Sequence, residues 1–103
     1  MASTAPGGGQ LLREHGITNG PANFALPEGL RVLRTIDQPN VVTVVIEPSD
    51  AKRTLDYLML HAAALGLSDI ETGNGSMVFR IDGWDGGFTT SSQIAGLTLR
   101  RRQ

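Results

Sequence analysis

Few residues of this chain could do chemistry, and they are scattered. There are two histidines, His15 and His61, and no cysteine, so a disulfide and a thiolate site are excluded. Neither histidine has a serine or carboxylate at a recognisable motif spacing. Asp56, five positions before His61, projects from a different side of the helix expected there. A lone histidine so placed reads as a packing or surface residue. Asp82-Gly83-Trp84-Asp85-Gly86-Gly87 sets two carboxylates three apart in a glycine-rich stretch, which superficially suits a hard cation. Calcium takes about six or more oxygens, and the stretch lacks the alternating Asp/Asn pattern and closing Glu of a calcium loop. It is read as a loop built on the turn chemistry of Asp-Gly.

Phosphate chemistry fares no better. GxGxxG and the glycine-lysine phosphate loop are absent, and Gly7-Gly8-Gly9 precedes no strand-to-helix unit, so it reads as a tether. Arg100-Arg101-Arg102 could touch phosphates, yet the formal net charge is −1, only 18% of residues are charged and no aromatics interleave. A solvated tail is the favoured reading. The expectation is therefore no catalytic residues, no metal, no cofactor and no nucleic-acid partner.

The segment Val41 to Leu67 organises what remains. Val41, Val42, Val44, Val45 and Ile46 make a β-branched run broken only by Thr43, which predicts a covered, central strand. Pro48 ends it, and Ser49 or Asp50 is the expected N-cap of an amphipathic helix over about 49–66. At 100° per residue, Ala51, Leu55, Leu58, Met59, Ala62 and Leu65 form the stripe expected to face a sheet. Gly66 supplies the left-handed residue that closes the helix, and Leu67 packs back on its last turn. The opposite side carries Arg53, Tyr57, Leu60, His61 and Ala64. A helix apolar on two sides has two packing partners, here either the N-terminal arm or a neighbouring subunit.

Around this unit the sequence predicts strands. Arg31 to Asp37 joins Val41 through a tight turn at Gln38-Pro39-Asn40, in a register that puts Val32 and Ile36 on the face of Val42 and Ile46 but leaves Arg34 mismatched there. Asn74-Gly75, expected in a type I′ turn, closes a second hairpin. Ile70, Met77, Phe79 and Ile81 then share the core face, and Asp69 stands opposite Arg80. Phe88 to Ser92 offers a further strand. Ile94 to Arg100 reads most simply as the last one, with Ala95, Leu97 and Leu99 inward, although a helix from Ser91 or Ser92 with arginines at its C-terminus is the alternative. The fold class is α+β: one domain, a mostly antiparallel sheet of four to five strands covered by one helix.

The chain divides into an extended or flexible N-terminal arm, 1–29, and a compact body, 30–103. The arm is punctuated by Gly16, Gly20, Pro21, Pro27 and Gly29, with Leu11, Leu12, Ile17, Phe24 and Leu26 as irregularly spaced anchors. Trp84 either folds back on the sheet as a lid or stands out as an interface anchor. No apolar run approaches the ~20 residues of a membrane span, and the N-terminus lacks the basic and apolar regions of a signal peptide, so a soluble protein made in the cytoplasm is expected, with no membrane partner.

Together these features predict a non-catalytic assembly or interaction protein, a homo-oligomer or a component of a larger complex such as a virus particle. Leu11, Leu12, Ile17, Phe24, Leu26, Tyr57, Leu60, Ala64 and Trp84 are its expected partner-binding residues. The alternative is a regulatory domain binding a small ligand between helix and hairpin near Trp84. An enzyme without a recognisable motif comes third.

Overall fold

In the computed structural model, which describes residues 5–102, the chain runs β1 (Gln10–Leu11), β2 (Ala25–Leu26), β3 (Val32–Gln38), β4 (Val41–Ile46), α1 (Ala51–Leu60), α2 (Ala62–Leu65), β5 (Ser68–Gly73), β6 (Ser76–Ile81), β7 (Trp84–Thr90) and β8 (Ala95–Arg101). The last six strands form one antiparallel sheet in the order β3-β4-β8-β7-β6-β5, while β1 and β2 pair with each other in the arm. The sheet thus has six strands rather than the expected four to five. The α+β plan holds in its coarse form, with the helix and arm layered on one face.

Burial follows the pleat. Val42, Val44 and Ile46 of β4 are buried while Val41, Thr43 and Val45 are only half-covered, and Ala95, Leu97 and Leu99 alternate in the same way along β8. The β-branched run therefore lies inside the sheet, between β3 and β8, but is buried on one side. The segment ending in three arginines is a strand, because its three inward apolar residues at period two match β4 residue for residue.

Two features of the strands depart from expectation. In the first hairpin, Leu33 and Arg34 together oppose the single Val45, a β-bulge that shifts the register. Val32 still pairs with Ile46, but Ile36 pairs with Thr43 and Arg34 with Val45, so Ile36 lies on the uncovered face and Arg34 is freed from the core. The bulge resolves the mismatch that a straight register imposes. The turn itself is the two residues Pro39-Asn40.

The second departure is at Asp82 to Gly87, which is no loop. Asp82 and Gly83 take positive φ (41° and 86°) in a two-residue turn between Ile81 and Trp84, and β7 begins at once. Here the paired positive φ of a type I′ turn is met by Asp-Gly. At Asn74-Gly75 only Gly75 takes it (69°), so that turn is not type I′. The expected core face of this hairpin does form, with Met77, Phe79 and Ile81 buried and Ile70 packed against them.

The helix also turns further than its period suggests. Ala51, Leu58 and Leu65 are buried and Leu55 and Ala62 half-buried, but Met59 is exposed, and Thr54 and Tyr57 are buried instead. Thr54 can be buried because its hydroxyl donates to the Asp50 carbonyl at 2.9 Å. Asp50 does not cap the helix with its side chain. Its carboxylate accepts from the Arg31 backbone N–H at 3.1 Å and pairs with Arg53 at 3.4 Å, tying the entry of β3 to the helix. Gly66 closes the helix in the left-handed region (φ 82°), with the Leu67 N–H donating to the Ala62 carbonyl at 2.9 Å.

The arm is the larger surprise. Leu11, Leu12, Ile17, Phe24 and Leu26 are all buried in the chain's own core. Phe24 stacks on Phe79 of β6 with ring centroids 5.8 Å apart and planes at 11°. From position 5 onward the arm is thus part of the body, packed beside the helix on the sheet, and the first four residues of the expected flexible arm lie outside the described residues.

Candidate functional site

The expected partner-binding residues divide into two groups. Leu11, Leu12, Ile17, Phe24, Leu26, Tyr57 and Trp84 lie in the core, each at most about a tenth exposed, and in the folded chain present almost no surface. Trp84 is the first residue of β7 and is buried, with the Arg101 guanidinium 5.5 Å above its ring, so it is a residue of the sheet itself, neither a lid folded back from a loop nor an exposed anchor. Leu60 and Ala64 are exposed.

Tyr57 shows why the second helix face splits this way. Its hydroxyl donates to the Pro6 carbonyl at 2.7 Å, and the ring packs on His61 with centroids 4.6 Å apart. The arm crosses this pair on glycines: a Cβ at Gly7 would strike the His61 ring, and one at Gly9 would strike the Tyr57 hydroxyl and the Leu26 carbonyl. Gly7-Gly8-Gly9 is therefore a seat for the arm on the helix rather than a free tether. Burial raises the Tyr57 pKa, so the phenol keeps its proton and its role as donor.

What the arm leaves uncovered is the outer side of the helix beyond Tyr57. Leu60 is 79% exposed and Met59 46%, with Ala63 and Ala64 exposed one turn on. Positions 59 and 63, and 60 and 64, are four apart, so these side chains form one patch. From Tyr57 to Leu67 the chain carries no Asp, Glu, Lys or Arg. Beside the patch lies a cleft of about 320 Å³ lined by Pro6, Leu11, Asn23 and Ala63 to Gly66. The missed residue here is Met59, which a 100° stripe assigns to the core; the signal that could have found it is Thr54-Tyr57-Leu58, an equally regular stripe once a buried threonine is allowed.

The candidate chemical groups are committed elsewhere. Asp82 sits in its turn, while Asp85 lies on β7 at 3.5 Å from Arg80 and 3.7 Å from Arg102. Arg80 also reaches Asp69 at 3.6 Å, the cross-strand pair the hairpin implied, although Ser68 is the residue directly opposite Arg80. Arg100 and Arg101 are part of β8 rather than a tail. The His15 Nε2 is buried without a hydrogen-bond partner, and burial lowers its pKa below the ordinary value against the opposing charge of Glu14. Asp37 accepts from the backbone N–H of Thr18 at 2.9 Å, from that residue's hydroxyl at 3.0 Å, and from the Asn19 backbone and side-chain nitrogens at 2.9 and 2.8 Å. These donors, the Thr18 N–H first, hold its pKa down at about 2. The arrangement latches the arm to the end of β3. Among the described residues no group of three or more His, Asp or Glu side chains is placed to hold a metal ion, and no helix is long and apolar enough to cross a membrane.

Comparison with protein-family models, with curated proteins and with solved structures finds no match to this chain.

Proposed function

We propose that the chain is a non-catalytic assembly module whose outer helix face docks on a neighbouring protein subunit, in a repeating complex of which a virus particle is one kind. The observation that carries this reading is the charge-free patch of Met59, Leu60, Ala63 and Ala64, with Leu60 79% exposed. An aligned apolar strip on the solvent side of a helix, next to a cleft, is the form of a helix-docking surface. The arm supports it indirectly: it lies over Tyr57 and His61 and leaves the second half of the outer helix face as the part on offer.

Leu60→Glu tests the reading. The side chain is at the surface, so the variant is expected to keep the wild-type melting temperature within the range of surface changes, about 0.5 kcal/mol, while association with the neighbouring subunit is lost. Unchanged association in a folded Leu60→Glu chain would contradict it. A ligand-binding reading has one observation in its favour, the open cleft of about 660 Å³ over Asp69, Glu71, Val78, Arg80 and Asp85. Arg80, the one cation lining that cleft, is already shared between Asp69 and Asp85, so an anionic ligand finds no unpaired cation there.

A further inference from the structure

The sheet has a second face that no described element covers. Its side chains are the alternates of the core set, and their chemistry is ordered in rows that run across the strands. One row reads Ile36, Thr43, Thr98, Gly87, Val78 and Glu71 from β3 to β5. A second contains Val45, Gly96, Thr89 and Ser76, and a third contains Val41, Arg100, Asp85 and Arg80. The inner four strands carry no charge in the first two rows, Val78 is 50% exposed, and two glycines floor the centre. A Cβ at Gly87 would meet nothing nearer than 3.9 Å, so the space above it is open.

We propose that this face is a twofold contact between two copies of the chain, stacked sheet on sheet with the axis running along the strands between β8 and β7. This rests on the reading that the chain works by assembly, and adds a second surface to it. Two arguments select the second copy as occupant.

The first is complementarity under that axis, which exchanges β8 with β7 and β4 with β6. Each central glycine then lies under a threonine of the other copy: Gly87 under Thr98, and Gly96 under Thr89. Arg100 meets the other copy's Asp85, Val78 packs on Thr43, and nowhere in the three rows do like charges meet. A face designed only for water has no reason to be self-complementary in this way. The second argument is area. At a strand spacing of about 4.8 Å and a rise of about 3.4 Å per residue, six strands of about six residues give a footprint of about 600 Å² per copy. The pair buries about 1,200 Å², the lower end for specific interfaces, whereas an axis shifted one strand over would leave the area of a packing contact. Stacked sheets at about 10 Å separation accept the small side chains found here.

The test is sedimentation of the full chain from micromolar to millimolar concentration, with Gly87→Glu, Thr89→Glu and Leu60→Glu in parallel and the thermal melt of each as the folding control. An association in the micromolar range is expected for the wild type, weakened at least tenfold in both sheet variants and restored by no increase in salt. Single charge reversal Asp85→Arg should weaken it, and the double change Asp85→Arg with Arg100→Asp should recover it. A wild type that stays monomeric at millimolar concentration overturns the proposal. So does an association that survives both sheet variants; if that association is lost with Leu60→Glu, the helix reading stands and the sheet contact falls, and if the reverse holds, the sheet contact stands without the helix.

Discussion

Replacing Gly86 by alanine should damage this fold more than any other single methyl added to a strand. Gly86 is buried in β7 directly across from Phe79, and a Cβ there would overlap the Phe79 ring. That ring is pinned from the other side, since it stacks on Phe24, which is fully buried. Alanine in a strand should gain about 0.5–1 kcal/mol over glycine where there is room. Here the extra methyl overpacks the core, at about 1–3 kcal/mol, and displacing Phe79 forfeits a stacked pair worth about 0.5–1.5 kcal/mol beyond its area. The net expectation is a loss of about 2–3 kcal/mol, or about 10–20 °C in melting temperature for a domain of this size. Thermal unfolding by circular dichroism measures it. The double variant Gly86→Ala with Phe79→Leu makes room for the methyl and should lose less than the two single changes added together. A Gly86→Ala chain as stable as the wild type, or more so, would refute the claim that this glycine is there for the ring.

Four further outcomes are expected. Stability should fall on acidification in two windows. His15, whose folded pKa lies below 6.5, opposes protonation as pH drops under that value, and Asp37, with a folded pKa of about 2 against 3.8, contributes stability that is full above about 4 and lost as pH falls toward 2. Asp37→Asn should abolish the lower window while leaving the upper, read from urea titrations at successive pH values. Phe24→Ala should cost about 3–5 kcal/mol, as for any fully buried phenylalanine; a small effect would mean that the arm is not core. Deleting residues 1–29 should therefore yield a chain that fails to melt cooperatively, not a well-folded body released from an arm, and a sharp two-state transition in the truncated chain would overturn that view. Tyr57→Phe, which removes the hydroxyl bonded to the Pro6 carbonyl, should cost about 1 kcal/mol and speed proteolysis of the first residues.

The parts of the fold that could be read from the sequence are those where one local signal suffices. A β-branched run, a 3.6-residue stripe ended by glycine, Asn-Gly between apolar strands, and Ala95-Leu97-Leu99 at period two each specify an element without help from elsewhere. The parts that could not be read depend on a distant partner. Asp82 to Gly87 looks like a loop because three of its six residues are glycine, yet Gly86 is a strand residue made small by the aromatic ring across the ladder. Arg34 looks misplaced until the bulge at Leu33 turns it outward, and a bulge has no sequence signature here. The arm looks disordered because glycine and proline break every period in it. Its order comes from five scattered apolar side chains that find the sheet and helix, and from Thr18 and Asn19, whose donors find Asp37 nineteen and eighteen positions away. For the candidate site, the second apolar helix face was legible from Tyr57, Leu60 and Ala64. Which half of it the arm would cover was not, because the arm sits on the helix through Gly7 against His61 and Gly9 against Tyr57, and nothing local says that glycines will lie against those rings.

Assembly through the outer helix face is read from the solution mass of the wild-type chain against Leu60→Glu across a wide concentration range. The wild type should show a mass above that of one chain that rises with concentration, and Leu60→Glu, at an unchanged melting temperature, should stop at a smaller species. Equal masses for the two proteins at every concentration, with both folded, would contradict it.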